Sequence, residues 1–159
     1  MAYEKAIYFN SDAVSKAKLS LKRAQSLKQI GSYDVAEQTL NRVDLGSLSD
    51  SLFYTVKYNA ALCAYLGADF AAAESHIIQL IYFGKDSSKA FKCYPLYALI
   101  LNELGKYGQS ENYLQKYVRQ NYADADTSRT KILNEISSSY SKKNQPRLKR
   151  LKKAKTMSY

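Results

Sequence analysis

Apolar residues fall at three- and four-residue steps over most of this chain, and the steps restart in phase. Ala17, Leu21, Ala24, Leu27 and Ile30 share one stripe, which predicts a helix over 12–30. Gly31 stops it. Ser32 is placed to cap a second helix, Tyr33 to Val43, with Ala36, Leu40 and Val43 inward. Asp44 to Asp50, broken by Gly46, leads to the next pair. Ser51 to Leu66 is predicted as a helix on Ala60, Ala61, Ala64 and Tyr65. Gly67 and Ala68 turn the chain, Asp69 is a candidate cap, and Phe70 to Phe83 follows with Ala73, Ile77 and Leu80 inward. Gly84 to Ser88 connects onward. Proline is tolerated only in a first turn, so Pro95 predicts a helix that begins between Phe91 and Tyr94 and runs to Leu104. Gly105 and Lys106 lead into Tyr107 to Asn121, with Leu114 and Tyr117 inward. Thr127 to Tyr140 carries a narrow stripe (Ile132, Ile136, Tyr140). Glu135 and Ser138 sit where a stacked helix would want small apolar residues, the pattern of a capping helix. Asp124 and Asp126 precede it as candidate caps.

The elements also recur. Tyr33, Phe70 and Tyr107 are 37 residues apart, as are Ala36, Ala73 and Ser110, then Leu40, Ile77 and Leu114, then Ala24, Ala61 and Ala98. A glycine stands just before each aromatic (Gly31, Gly67, Gly105). A period of a few tens of residues marks stacked supersecondary units, each unable to bury its apolar face alone. The chain therefore reads as all-α. Three helix-turn-helix repeats at about 17–46, 54–83 and 91–121 and a capping helix at about 127–140 make one domain over 1–141, and 142–159 is a tail. The first ten residues include Ala6, Ile7, Tyr8 and Phe9 and are apolar enough to dock.

The segments Gly31-Ser32-Tyr33-Asp34-Val35-Ala36, Gly67-Ala68-Asp69-Phe70-Ala71-Ala72-Ala73 and Gly105-Lys106-Tyr107-Gly108-Gln109-Ser110 resemble the core of tetratricopeptide repeats. In such a core, glycine ends the first helix, the aromatic fills the gap, and the small residue lets two backbones approach. Two departures stand out. The period exceeds the family's usual 34. The family's large aromatic early in the first helix is here Ser20, then Lys57, and survives only as Tyr94.

The resemblance implies a right-handed superhelix that binds a protein or peptide segment along a concave face lined by the first helices. On that alignment the groove is lined by Lys18, Leu21, Gln25 and Lys28, then Thr55, Tyr58, Asn59, Leu62 and Tyr65, then Lys92, Leu96, Leu99 and Asn102. The family's carboxylate clamp is matched at Asn59 and Lys92 and not at Leu21, Gln25 and Leu96. What remains is an apolar, tyrosine-edged floor with a lysine rim, suited to a segment with apolar anchors and some acidic character. The alternatives are that Tyr58, Leu62 and Leu99 are ordinary packing, or that the chain's own N-terminal segment covers the groove.

Charge changes this picture at one end only. The net charge is +10. Lys142, Lys143, Arg147, Lys149, Arg150, Lys152, Lys153 and Lys155 stand in a stretch with no acidic residue, so the rest of the chain carries only about +2. That tail makes a second function class available, binding of nucleic acid or an anionic membrane. The segment Leu151 to Tyr159 also resembles the junction in bacterial envelope proteins where such repeats precede membrane spans. This implies a structural module of a larger membrane-linked assembly, cytoplasmic or periplasmic, and a possible homo-oligomer contact through an end or convex face.

Catalytic patterns are missing. His76 is the sole histidine, expected at a helix surface or half-buried, and lacks the partner that a nucleophile pair or a metal site needs. Cys63 and Cys93 read as two inert thiols or one bridge. No phosphate-cradling glycine loop is present, and no 18-residue apolar run exists to span a membrane. The expectation is a non-enzyme without cofactor or metal.

Overall fold

The computed structural model describes residues 2–9, 12–84 and 87–120. All regular structure among them is helical: α1 (Ala2–Phe9), α2 (Ala13–Gln29), α3 (Tyr33–Asn41), α4 (Asp50–Leu66), α5 (Phe70–Phe83), α6 (Ser87–Ala90), a 3₁₀ turn (Phe91–Cys93), α7 (Tyr94–Glu103) and α8 (Tyr107–Gln120). The chain is all-α, and each helix expected within the described residues forms. The expected capping helix at 127–140 and the basic tail lie outside the described residues. The chain divides into two compact units, 1–116 and 117–159, and only the first is largely described.

Caps explain several helix starts. The Asp12 carboxylate accepts from the Ser15 hydroxyl and, at 2.9 Å, from the Ser15 N–H, and these two bonds hold its pKa below the usual value. Ser49 caps α4, and Asp69 caps α5 through the Ala72 N–H at 3.0 Å. Ser32 holds the N-cap place of α3 but makes no side-chain cap bond. Its backbone is not extended (ψ 64°), and a serine oxygen reaches one bond less far than the aspartate in the matching place.

The three turns inside the helix pairs are one structure repeated. Gly31, Ala68 and Gly105 have φ of 81°, 64° and 77°. The N–H of each bonds back to a carbonyl three residues earlier (Lys28, Tyr65, Asn102), and the next N–H reaches Leu27, Ala64 and Leu101 at 2.8–2.9 Å. This paired six-to-one and five-to-two pattern closes a helix around a left-handed residue. Each partner recurs at 37 residues, so the glycine column needs a correction. The left-handed residue of the second turn is Ala68, and Gly67 stands one place out of register with φ −76°. Gly67 has a different constraint: a Cβ there would come within 3.3 Å of Tyr33 Cβ.

The third pair begins earlier than Pro95 alone suggests. The chain is already helical at Ser87, and the proline is met by tightening three residues into a 3₁₀ turn. Pro95 lacks an N–H and crowds the carbonyl four residues back. The Tyr94 N–H bonds Phe91 O instead, and the Cys93 thiol donates to Ala90 O at 2.9 Å.

Two apolar clusters hold the pairs together, and α4 belongs to both. Val56, Ala60 and Cys63 pack with Ala17, Ala24, Ala36 and Leu40, whereas Ala61, Ala64 and Tyr65 pack with Ala73, Ile77, Leu80, Cys93 and the buried face of α7. A helix apolar on two sides is what the middle of a stack requires. The small columns do what their size permits. Ala24, Ala61, Ala98, Ala36, Ala73 and Ser110 are all buried, and the Ser110 hydroxyl donates to Ala98 O at 2.8 Å across the third pair. The aromatic column behaves unevenly. Tyr33 abuts the second turn, Phe70 lies 5.8 Å from the Tyr65 ring, but Tyr107 is 63% exposed and plugs no gap.

Candidate functional site

At about 100° per residue, Lys18, Leu21, Gln25 and Lys28 share one arc of α2, beside the buried Ala17, Ser20 and Ala24. Lys18 and Gln25 are exposed and Leu21 and Lys28 half-buried. On α4 the accessible arc is Tyr54, Thr55, Tyr58, Asn59 and Leu62, all half-buried, with the Tyr54 and Tyr58 rings stacked at 5.7 Å. Asn59 Nδ2 donates to Thr55 O at 2.8 Å, so this clamp-like asparagine is engaged by its own helix. On the third pair Lys92 is exposed, and Leu99 and Asn102 are half-buried.

Two of the expected groove residues are core instead. Tyr65 is 4% and Leu96 5% exposed, both within the second apolar cluster. Tyr65 packs on Phe70, and Leu96 lies on the buried face of α7 with Tyr97, Ile100 and Leu101. The N-terminal segment forms α1, which packs on α2, and Glu4 pairs with Arg23. Arg23 lies about 150° around α2 from Lys18 and Gln25, so that contact is on the side away from the groove arc.

A second polar group went unread in the sequence. His76, only 5% exposed, is buried rather than half-buried, and its Nε2 lies 2.6 Å from Glu37 Oε1. Its Nδ1 has no partner among the described residues. Lys57 is 6% exposed, and burial lowers its pKa against the opposing pull of Glu37. Glu37 on α3, Lys57 on α4 and His76 on α5 thus bring three ionisable side chains into the seam between the first and second pairs. Lys57 stands on α4 between the residues that serve one cluster and those that serve the other. Part of this was legible: position 57 shares the 37-residue column of Ser20 and Tyr94, which is buried at Ser20 and half-buried at Tyr94. The Glu37–His76 pairing, 39 residues apart, leaves no periodic trace.

The cysteines are free and buried, not bridged. Burial raises the Cys63 thiol and pushes Cys93 up to about 12, so neither is a ready thiolate. Tyr94, Tyr97 and Tyr113 interlock with ring centroids 5.0 and 4.7 Å apart, and Lys116 Nζ lies 5.0 Å from the Tyr113 centroid. Among the described residues no group of three His, Cys, Asp or Glu side chains is arranged to hold a metal, and no helix is long and apolar enough to cross a membrane.

No family model, curated protein or solved structure matches this chain.

Proposed function

We propose that the chain is a tetratricopeptide-like scaffold, not an enzyme, whose three helix pairs stack into a superhelix and bind a peptide segment along α2, α4 and α7. The observation that carries this reading is the in-phase turn. The same hydrogen bonds close each first helix at 37-residue intervals, above columns of buried small residues. Equal turns and equal small contacts give each pair a similar internal geometry, the unit from which a face of first helices is built in a stack. The accessible arcs of those helices carry half-buried tyrosine and leucine, which have apolar area left to bury. Polyanion binding through the tail remains a separate proposal carried by sequence alone.

The test is selection of a random twelve-residue peptide library, displayed on phage, against the full chain. Enriched peptides are expected to lose about tenfold in affinity for Tyr58→Ala or Leu99→Ala, an ordinary contribution for an interface anchor. Far-UV circular dichroism of both variants should match the parent. If no peptide enriches, or enriched peptides bind both variants unchanged, the groove reading fails.

A further inference from the structure

We infer that the segment bound in the groove is bipartite, acidic where it crosses α2 and apolar where it crosses α4 and α7; this rests on the groove reading above. Charge is segregated along the first helices. Between Ala13 and Gln29, α2 carries Lys16, Lys18, Lys22, Arg23 and Lys28 and no acidic residue. Arg23 is neutralised by Glu4 of α1. Lys18, Lys22 and Lys28 fall with Leu21 and Gln25 inside an arc of about 120°, the groove arc. None of these three lysines is ion-paired among the described residues. The other acidic residues of the first two pairs stand on α3 (Asp34, Glu37), on α5 (Glu74), at helix starts (Asp50, Asp69) and in a connection (Asp44), while Asp12, the N-cap of α2, feels the charge of Lys18 without pairing with it.

Beyond α2 the wall loses its charge. The only cation of α4 is Lys57, which is buried against the seam and not on the Tyr58–Leu62 arc. α7 contains no cation, and the exposed Lys92 before it is matched in charge by Glu103 at its end. A partner that gained energy along the whole groove would therefore place carboxylates at one end and apolar side chains at the other. Complementary potential fixes such a segment in one direction and speeds its capture. A nucleic acid fits less well. Its phosphates need cations along the full track, and these stop at the end of α2.

The experiment uses the full chain and peptides enriched from the twelve-residue library. Expected are Asp/Glu clusters confined to one half of each peptide, and binding that weakens as salt rises. Affinity should fall about tenfold for the triple variant Lys18→Glu, Lys22→Glu, Lys28→Glu, the sum of several rim pairs. Lys16→Glu, off the arc, should leave it unchanged. A photocrosslinker at the acidic end should label α2, and one at the apolar end α7. Enriched peptides that lack acidic clusters, bind the triple variant equally and still depend on Tyr58 overturn this inference but leave the groove reading standing. Failure of any peptide to enrich removes both. An oligouridine that binds at the three lysines and displaces the peptides overturns it in favour of a polyanion site.

Discussion

At the scale of single residues, three equivalent turns contain two different solutions to one steric problem. A residue with φ near +60° to +80° brings Cβ close to its own carbonyl, a cost of roughly 1–2 kcal/mol that glycine avoids. Gly31 and Gly105 avoid it, and Ala68 does not. Ala68→Gly is therefore expected to stabilise the fold by about 1 kcal/mol, the steric relief being partly offset by the greater freedom of glycine in the unfolded chain. Urea denaturation reads this directly. A midpoint that stays or falls would show that the second turn holds Ala68 without strain. The glycine that seemed to do this work, Gly67, serves instead to let the Tyr33 side chain come close. A one-place slip in an otherwise exact period was visible in the sequence, and only backbone angles show what it means.

At the scale of elements, the seam between α3, α4 and α5 depends on Glu37. It accepts from His76 and offsets the buried charge of Lys57. Glu37→Ala is expected to cost about 1.5–3 kcal/mol, the range for a hydrogen bond involving a charged group. Replacing the trio together, with Glu37→Leu, Lys57→Met and His76→Phe, should recover much of that loss, because apolar replacement of a whole buried polar group is often neutral or better. Equilibrium unfolding of the single and triple variants tests the pair of statements. A Glu37→Ala effect within the roughly 0.5 kcal/mol of ordinary surface substitutions would falsify the idea that this seam relies on the carboxylate. The tie between the second and third pairs is of another kind. Lys106 Nζ reaches Glu74 at 2.7 Å at a partly exposed site, where such pairs contribute about 0–1 kcal/mol. Apolar packing through Ile77, Leu80, Ile100 and Leu101 holds that junction instead.

At the scale of the whole molecule, groups kept neutral by burial set the alkaline limit. Cys93 is raised from 9.0 to about 12 and Tyr97 from 10.0 to about 12, with burial the first cause of each. Both have folded pKa values above the unfolded ones. Their contribution is present in full below pH 9 and is lost as pH rises toward 12, because the unfolded chain gives up these protons first. The loss from one such group approaches about 1.4 kcal/mol per pH unit inside its window. Stability measured by urea titration should fall from pH 9 upward, and Cys93→Ala should make that slope shallower while lowering stability at pH 7 through the cavity it leaves. An unchanged slope in that variant would mean that Cys93 ionises as readily folded as unfolded. The same burial predicts slow thiol labelling in native conditions.

Sequence alone determined the helices of the three pairs, their partners and their beat. Three- and four-residue apolar steps, a recurring small residue and a recurring break are local facts, and each helix pair obeys them because its turn is closed by its own backbone. Tertiary structure decided what depends on neighbours in other helices. It made Tyr65 and Leu96 core rather than the expected groove wall, paired Glu4 of α1 with Arg23 on the side of α2 away from the expected groove arc, and joined Glu37 to His76 with Lys57 beside them. Burial and ion pairing are properties of the space between helices, and a periodic sequence states which faces meet without stating how deeply each side chain enters the seam.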